Sequence, residues 1–101
     1  MSEVDPVIHQ PTRLRIMSSL VGLDTGARVS FTFLQDLLGL TDGNLSVHLK
    51  KLEEAGFIAT SKEFVARKPK TWLWLTESGR QAFQQYVEML EDIIRGEEKS
   101  E

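Results

Sequence analysis

The stretch from Leu40 to Ile58, LTDGNLSVHLKKLEEAGFI, sets polar and basic side chains around a regular apolar repeat. Leu45, Leu49 and Leu52 recur at the spacing of one helix face, which predicts a helix with that face buried. Its other faces offer amide, imidazole, hydroxyl and ammonium groups, which can bind base edges or phosphates, and one valine that could touch a thymine methyl. These candidate residues are Asn44, Ser46, Val47, His48, Lys50 and Lys51. Any solvated helix also shows polar residues outward, so this helix alone leaves both interpretations open.

A second basic cluster follows this helix. The segments FIATSKEFVA and TWLWLT are rich in β-branched and aromatic residues, and RKPK between them predicts the turn of a β-hairpin. Lysines at a strand turn often only protect a sheet edge. Here the cluster comes directly after a helix with its own lysines, which favours contact with nucleic acid. The basic residues near the tip are Lys62, Arg67, Lys68 and Lys70, against the single Glu63.

The charges are unevenly distributed along the chain. The formal net charge of the 101 residues is -3. Between Gly43 and Arg80, however, basic residues outnumber acidic ones, whereas from Gln81 onward acidic residues outnumber basic ones. The acidity therefore belongs to the last predicted helix and the tail, and the basic region is the part expected to meet phosphate.

The segments before residue 40 predict the elements that support this region. QPTRLRIMSSLVGL has the apolar spacing of a helix, with Pro11 in its first turn. RVSF could form a short strand. In TFLQDLLGL, Thr32 and Gln35 have the spacing of a capping box, and Gly39 ends the helix. The apolar side of that second helix is Leu34, Leu37 and Leu38.

Caps also bound the later helices. Thr41 is placed to cap the third helix, and Gly56 lies where a left-handed residue would end it. Thr76 opens the last helix, which we expect over residues 77–95. Its apolar stripe extends beyond the length that a small core can cover, and exposed apolar stripes commonly mark association. The predicted dimer interface comprises Leu14, Val21, Tyr86, Leu90, Ile93 and Ile94.

Trp72 and Trp74 alternate with Leu73 and Leu75, so both faces of the last strand are apolar. We expect both tryptophans to pack within the domain or under the last helix. The alternative is that one of them lines a pocket or a subunit interface.

Composition excludes several classes of site. The chain has no cysteine, so it has no disulfides and no thiolate zinc site. His9 and His48 are its only histidines, and no metal-ligand spacing surrounds them. We find no nucleophile motif or glycine-rich phosphate loop, and expect neither an enzyme nor a cofactor. No apolar run could span a bilayer and MSEVDPVIHQ is unlike a signal peptide, so we expect no membrane partner and a cytoplasmic location.

Two helices joined by the tight LGLTDG turn and followed by a β-hairpin are the parts of a winged helix-turn-helix. The predicted fold is α+β and mainly helical, with a three-helix core, a β-hairpin wing and a long C-terminal helix. From Gln10 to Ile94 the sequence resembles winged-helix transcriptional regulators of the MarR and ArsR type. The most specific pieces are LSVHLKKLEEAGFI and LTESGR.

That resemblance implies roles for individual residues. It implies that the third helix enters the major groove through Asn44, Ser46, His48 and Lys51. It likewise implies that the wing contacts backbone or minor groove through Arg67, Lys68 and Lys70. The chain is shorter than typical MarR-type proteins and lacks their long flanking helices. It also lacks the cysteine pairs of ArsR metal sensors, so no inducer or metal role is implied.

We therefore predict a winged-helix domain over residues 10–95, after a loosely ordered N-terminus over residues 1–9 and before a disordered acidic tail over residues 96–101. The predicted function is that of a transcriptional regulator, a dimeric repressor by resemblance, which binds double-stranded DNA sequence-specifically. Its recognition helix would span residues 42–55 and its wing residues 62–71. The alternative is a winged helix that serves as a protein–protein module in a larger complex. RNA binding and a small-molecule effector stay open.

Overall fold

The computed structural model describes residues 4–96, which form four helices and a three-stranded antiparallel sheet. The strand order is β1-β3-β2. This architecture confirms the predicted winged helix, including the short strand before the second helix. No helix in the described range is both long and apolar enough to cross a membrane. The elements are α1 (Pro11–Val21), β1 (Val29–Ser30), α2 (Phe31–Leu38), α3 (Asp42–Glu54), β2 (Ile58–Val65), β3 (Lys68–Leu75) and α4 (Glu77–Arg95).

Side-chain caps fix where α3 and α4 begin. The Thr41 hydroxyl accepts a hydrogen bond from the Asn44 amide at 3.2 Å, and the Thr76 hydroxyl accepts one from the Gly79 amide at 3.0 Å. Each bond satisfies an amide that has no partner inside its helix. Both caps were expected from the sequence.

Helix α2 differs from the prediction at its start and on its buried side. Its cap is Ser30, whose hydroxyl accepts from the Phe33 amide at 3.1 Å, so Thr32 lies inside the helix. The reason is that the chain passes from β1 into α2 without a loop, which makes the last strand residue the cap. Gln35 donates to the Asp42 carboxylate instead of completing a capping box.

Leu34 is the buried residue of α2, while Leu37, which we expected in the core, is 57% exposed. A helix of eight residues has only a little more than two turns, so few of its side chains can face the core. Leu37 therefore lies on the outer side, four residues after Phe33, which is 52% exposed.

The core lies between the helices and one face of the sheet. Leu73 and Leu75 of β3 point into it, and their partners across the ladder include Ile58 of β2. The other buried hydrophobic side chains are Ile8, Ile16, Met17, Leu20, Leu34, Leu45, Leu49, Leu52, Tyr86 and Met89. The leucines predicted for the buried face of α3 are therefore all in the core.

Trp72 and Trp74 lie on the opposite face of the sheet and are only half-buried. The prediction that both would pack within the domain or under the last helix was wrong, because successive strand residues alternate between faces and the leucines take the core face. Cations cover the rings instead. The guanidinium carbon of Arg28 lies 4.1 Å from the Trp74 ring centre, and the Lys70 ammonium 4.6 Å from that of Trp72.

The N-terminal segment from Val4 to His9, predicted to be loosely ordered, packs against the core. Ile8 is fully buried, and the Asp5 carboxylate accepts a hydrogen bond from the Val7 amide at 2.9 Å. The His9 ring nitrogen Nδ1 lies 2.8 Å from the Tyr86 hydroxyl of α4. Burial of one isoleucine and these polar contacts together hold the segment in place.

Helix α4 starts against the corner where α3 turns into β2. The Thr76 hydroxyl donates to the Gly56 carbonyl at 2.6 Å, and the Thr76 amide donates to the Phe57 carbonyl at 3.1 Å. Gly56 has a φ of +81°, the left-handed conformation expected at that corner. Gly79 is needed for another reason, since a Cβ there would lie 2.1 Å from the Phe57 carbonyl oxygen.

We predict that Gly79→Ala destabilises the protein, although alanine is the better helix former. The added methyl group would overlap a backbone oxygen that cannot move without the corner, which we expect to lower the free energy of unfolding by about 1–3 kcal/mol or more. Gly43→Ala is the matched control, because nothing lies within 4 Å of its Cβ and its φ is not positive. It should instead raise stability by about 0.5–1 kcal/mol. Urea denaturation measures the free energy of unfolding of both variants. The explanation would be contradicted if both substitutions changed it in the same direction.

Candidate nucleic-acid and subunit interfaces

Helix α3 presents a continuous polar strip that faces away from its leucines. Residues at i, i+3, i+4 and i+7 share one side of a helix. This spacing puts Asn44, Val47, His48 and Lys51 on one line, which we call the α3 strip. Val47 is 57% exposed at its middle. Ser46 and Lys50 are also exposed but lie on the neighbouring line of the same helix.

Two of the three acidic residues of α3 form hydrogen bonds with neighbouring elements. Asp42 accepts a hydrogen bond from the Gln35 side chain of α2, and Glu53 accepts one from the Thr60 hydroxyl of β2 at 2.9 Å. Both carboxylates lie on the flank opposite the α3 strip. The four members of the strip are therefore basic, neutral polar or, at Val47, apolar, and Glu54 lies three residues after Lys51 at the end of the helix.

His48 differs from the other members of the α3 strip because it is half-buried. Its Nδ1 atom lies 3.2 Å from the Arg13 guanidinium of α1. Burial and, to a smaller extent, the charge of Arg13 lower the pKa of His48 below its ordinary value. The folded state therefore binds a proton at His48 less readily than the unfolded state does. As a consequence, the free energy of unfolding decreases when the pH falls below the pKa that His48 has in the unfolded chain.

The wing differs from the sequence prediction in the position of its turn. The turn residues are Ala66 and Arg67, with φ values of 53° and 67°, and the following lysines belong to β3. Two consecutive positive φ values are those of a type I′ hairpin turn, whose twist matches the strands. The RKPK segment was predicted to be the turn because it separates two segments rich in β-branched and aromatic residues. Pro69 instead pairs with Phe64 within the ladder.

The turn position determines where the basic side chains lie. Arg67 is at the tip, while Lys68 and Lys70 are two residues apart on the face that carries the tryptophans. Lys70 is half-buried against Trp72 and Lys68 is exposed. Arg67 is thus the predicted wing residue that extends furthest from the core.

Phe64 is an exposed wing residue that the sequence prediction missed, and 80% of its surface is accessible. It lies on the same side of β2 as Ile58, which is buried. Their exposure differs because Ile58 lies at the base of the hairpin, next to the helices, whereas Phe64 lies in the outer half, which extends beyond them. A phenylalanine that follows Lys62 and Glu63 and precedes a basic turn was the available indication in the sequence.

One residue of the predicted subunit interface is buried inside the domain. Tyr86 is 3% exposed and bonded to His9, so it has no surface to offer a partner, and its place there was wrong. The cause is the packed N-terminal segment, which covers that side of α4. Ile93 and Ile94 are 43% and 79% exposed, and Leu90 is half-buried.

Two further residues of α4 border an open groove. Phe83 and Val87 lie there beside Val21 of α1, and the groove has a volume of about 360 Å³. Leu14 is half-buried and packs against the core. Phe83, Val87, Leu90 and Ile94 follow one another at intervals of four, three and four residues, and we call this row the α4 stripe.

Known proteins share both the sequence pattern and the fold. A family model for a winged helix DNA-binding domain matches residues 12–94. An uncharacterised protein of Methanocaldococcus jannaschii is 41% identical over 81 residues, which cover 80% of this chain and 85% of that protein.

Two solved structures resemble the whole domain. A transcriptional regulator homologue from Pyrococcus horikoshii superposes with a TM-score of 0.79 at 31% identity, over 89% of this chain and 86% of that one. A MarR-family protein from Porphyromonas gingivalis has a TM-score of 0.67 at 15% identity, over 93% and 97% of the two chains, and shows the fold alone. On the match to residues 12–94 and the geometry of α3 and the hairpin, the chain belongs to the family of winged helix DNA-binding domains.

Proposed function

We propose that the protein is a dimeric transcriptional repressor that binds duplex DNA sequence-specifically. Helix α3 would enter the major groove, and the wing would contact the phosphate backbone or the minor groove. The observation that carries this proposal is the α3 strip, whose own residues are all uncharged or basic and lie on the helix that follows the tight turn.

The contacts we propose divide into two kinds. Asn44, Ser46 and His48 have groups that can hydrogen-bond base edges, and Val47 can pack against a thymine methyl. The lysines of α3 and the basic residues of the wing suit phosphates, which position the protein without selecting sequence. These phosphate contacts are Lys50, Lys51, Arg67, Lys68 and Lys70.

A second copy of the chain completes this proposal. One recognition helix contacts only a few base pairs, which gives too little selectivity among competing genomic sites. Two copies related by a dyad would contact half-sites about one helical turn apart on a roughly palindromic operator. A dimer of this kind bound over a promoter would block transcription. We therefore propose that the protein is a repressor.

The α4 stripe supports pairing of the last helices. Its spacing of four and three residues is that of packed helix pairs, and its outer member, Ile94, is largely exposed. The groove beside Val21, Phe83 and Val87 continues the stripe toward the domain and could receive an apolar side chain of the second copy. Apolar surface of this extent is costly to leave in water.

Selection from a library of random duplexes tests the proposed function. The wild-type protein should enrich one roughly palindromic sequence, and Ser46→Ala or Asn44→Ala should change the preferred bases at a cost of about 1–3 kcal/mol per lost base contact. If the wild-type protein enriched no sequence, the protein–protein module would become the better proposal.

Arg67 and Ala66 give a matched pair for testing the wing. Both have left-handed backbone, so Arg67→Gly and Ala66→Gly should each relieve strain and raise stability by up to about 1 kcal/mol. Only Arg67→Gly removes a charge. It should reduce the slope of log affinity against log salt concentration by about 0.9 per lost phosphate contact, or about two for a dimer. Equal salt slopes for the two variants would remove Arg67 from the DNA interface.

The subunit interface has a matched control as well. Replacing Leu90 by Glu together with Ile94 by Lys should yield monomers, because both changes put charge on the α4 stripe. Phe64→Lys alters a side chain as exposed as Ile94, at 80% against 79%, but far along the wing. It should leave the molecular mass unchanged. Sedimentation equilibrium at micromolar concentration decides the matter, and a monomeric wild type would contradict the dimer.

A further inference from the structure

The Arg13 side chain joins three separate parts of the molecule. It extends from α1, and its Nε donates to the Val7 carbonyl oxygen of the N-terminal segment at 2.6 Å. One terminal nitrogen lies 3.5 Å from the Pro6 carbonyl oxygen, and the other lies 3.2 Å from Nδ1 of His48. Arg13 is half-buried between these groups, so its guanidinium is held from both sides.

This arrangement determines which nitrogen of His48 carries a proton. A guanidinium has five N–H donors and no acceptor, so the Nδ1 atom that faces it must accept. A neutral imidazole that accepts at Nδ1 carries its proton at Nε2. A doubly protonated ring would place an N–H group against the guanidinium, so the contact favours the neutral ring in this tautomer.

We propose that Arg13 is a positioning residue for DNA recognition, which holds the neutral His48 ring so that its Nε2–H is the hydrogen-bond donor offered to a base pair. The inference rests on the proposed function, in which the α3 strip enters the major groove. The bases that such a donor fits have acceptors in that groove: guanine at N7 and O6, adenine at N7 and thymine at O4. The cytosine amino group, itself a donor, does not fit.

The electrostatic environment acts in the same direction. Burial and the positive charge of Arg13 both disfavour the protonated ring, and the pKa of His48 is lowered accordingly. On its own helix, His48 lies between Asn44 and Lys51 at helical neighbour spacing, and Lys51 is also positive. The ring therefore stays neutral at pH 7 without a carboxylate partner.

The N-terminal segment becomes part of the recognition apparatus through Arg13. The Val7 carbonyl that holds Arg13 belongs to a turn that the Asp5 carboxylate closes. The segment is also tied to α4 through His9. Residues that touch no DNA in this arrangement thus set the orientation of one base-contacting side chain.

The test uses Arg13→Met, His48→Ala and the double variant, with binding measured to the selected duplex and to duplexes changed at each position. Arg13→Met removes the donors but keeps much of the stem. Discrimination at one base pair per half-site should fall about three- to tenfold, as expected for one lost hydrogen bond. Adding Arg13→Met to His48→Ala should not reduce it further, since Arg13 acts through His48.

Arg15→Met is the control, since it removes the same charge from the same helix. Arg15 donates to the Leu38 carbonyl at 3.0 Å and has no contact with His48. This variant should retain the base preference of the wild type. If Arg15→Met lost the preference to the same extent, the effect of Arg13 would be one of general charge or stability, and the inference would be wrong.

Imidazole nitrogen shifts measured by NMR give a readout that needs no DNA. In the free wild-type protein His48 should be the tautomer protonated at Nε2, and Arg13→Met should raise its pKa and mix the tautomers. A wild-type His48 protonated at Nδ1 would overturn this inference while leaving the proposed function intact. If instead the wild-type protein selected no duplex at all, the proposed function would fail and the base contact with it.

Discussion

The close approach of α4 to the corner between α3 and β2 is the constraint on which the rest of the structure depends. Thr76 donates from both its hydroxyl and its amide to carbonyls of that corner, and Gly79 packs against the same backbone without a side chain. Three elements therefore meet at a fixed angle. Helix α3, the β2–β3 hairpin and α4 cannot change their relative orientation without breaking these contacts.

The two sides of that corner carry surfaces of different chemistry. On one side, α3 and the hairpin extend polar and basic groups outward, and on the other side α4 extends apolar groups. Neither surface contributes much to the core, because the buried residues lie between the helices and the base of the sheet. Substitutions at the outer positions can therefore change binding while stability remains close to that of the wild type.

The sequence predicted the features that depend on local periodicity and capping. The leucine repeat of α3, the caps Thr41 and Thr76 and the left-handed Gly56 all follow from short-range rules, and all were found. The α2 cap and the wing turn were local predictions that failed, whereas the prediction for Tyr86 failed because of a contact between distant residues. Tyr86 is buried because His9 and the N-terminal segment cover it, and nothing near Tyr86 in the sequence indicates this.

The candidate site shows the same division. The exposed faces of α3 follow from its spacing, whereas the contact between Arg13 and His48 joins residues 35 positions apart. At the wing, the turn was misplaced because Ala66 and Arg67 are unusual in a type I′ turn, which favours glycine and asparagine. The pairing of Val65 with Lys68 imposes that conformation on them.

The placement of the tryptophans gives the protein an optical label in a single element. The chain has two tryptophans, and both lie in β3 under a cation. Intrinsic fluorescence excited at the red edge of the absorption band therefore reports on the wing and not on the helices. A ligand that draws Lys70 or Arg28 away from its ring would change the emission, so the wing can be monitored in solution without an attached dye.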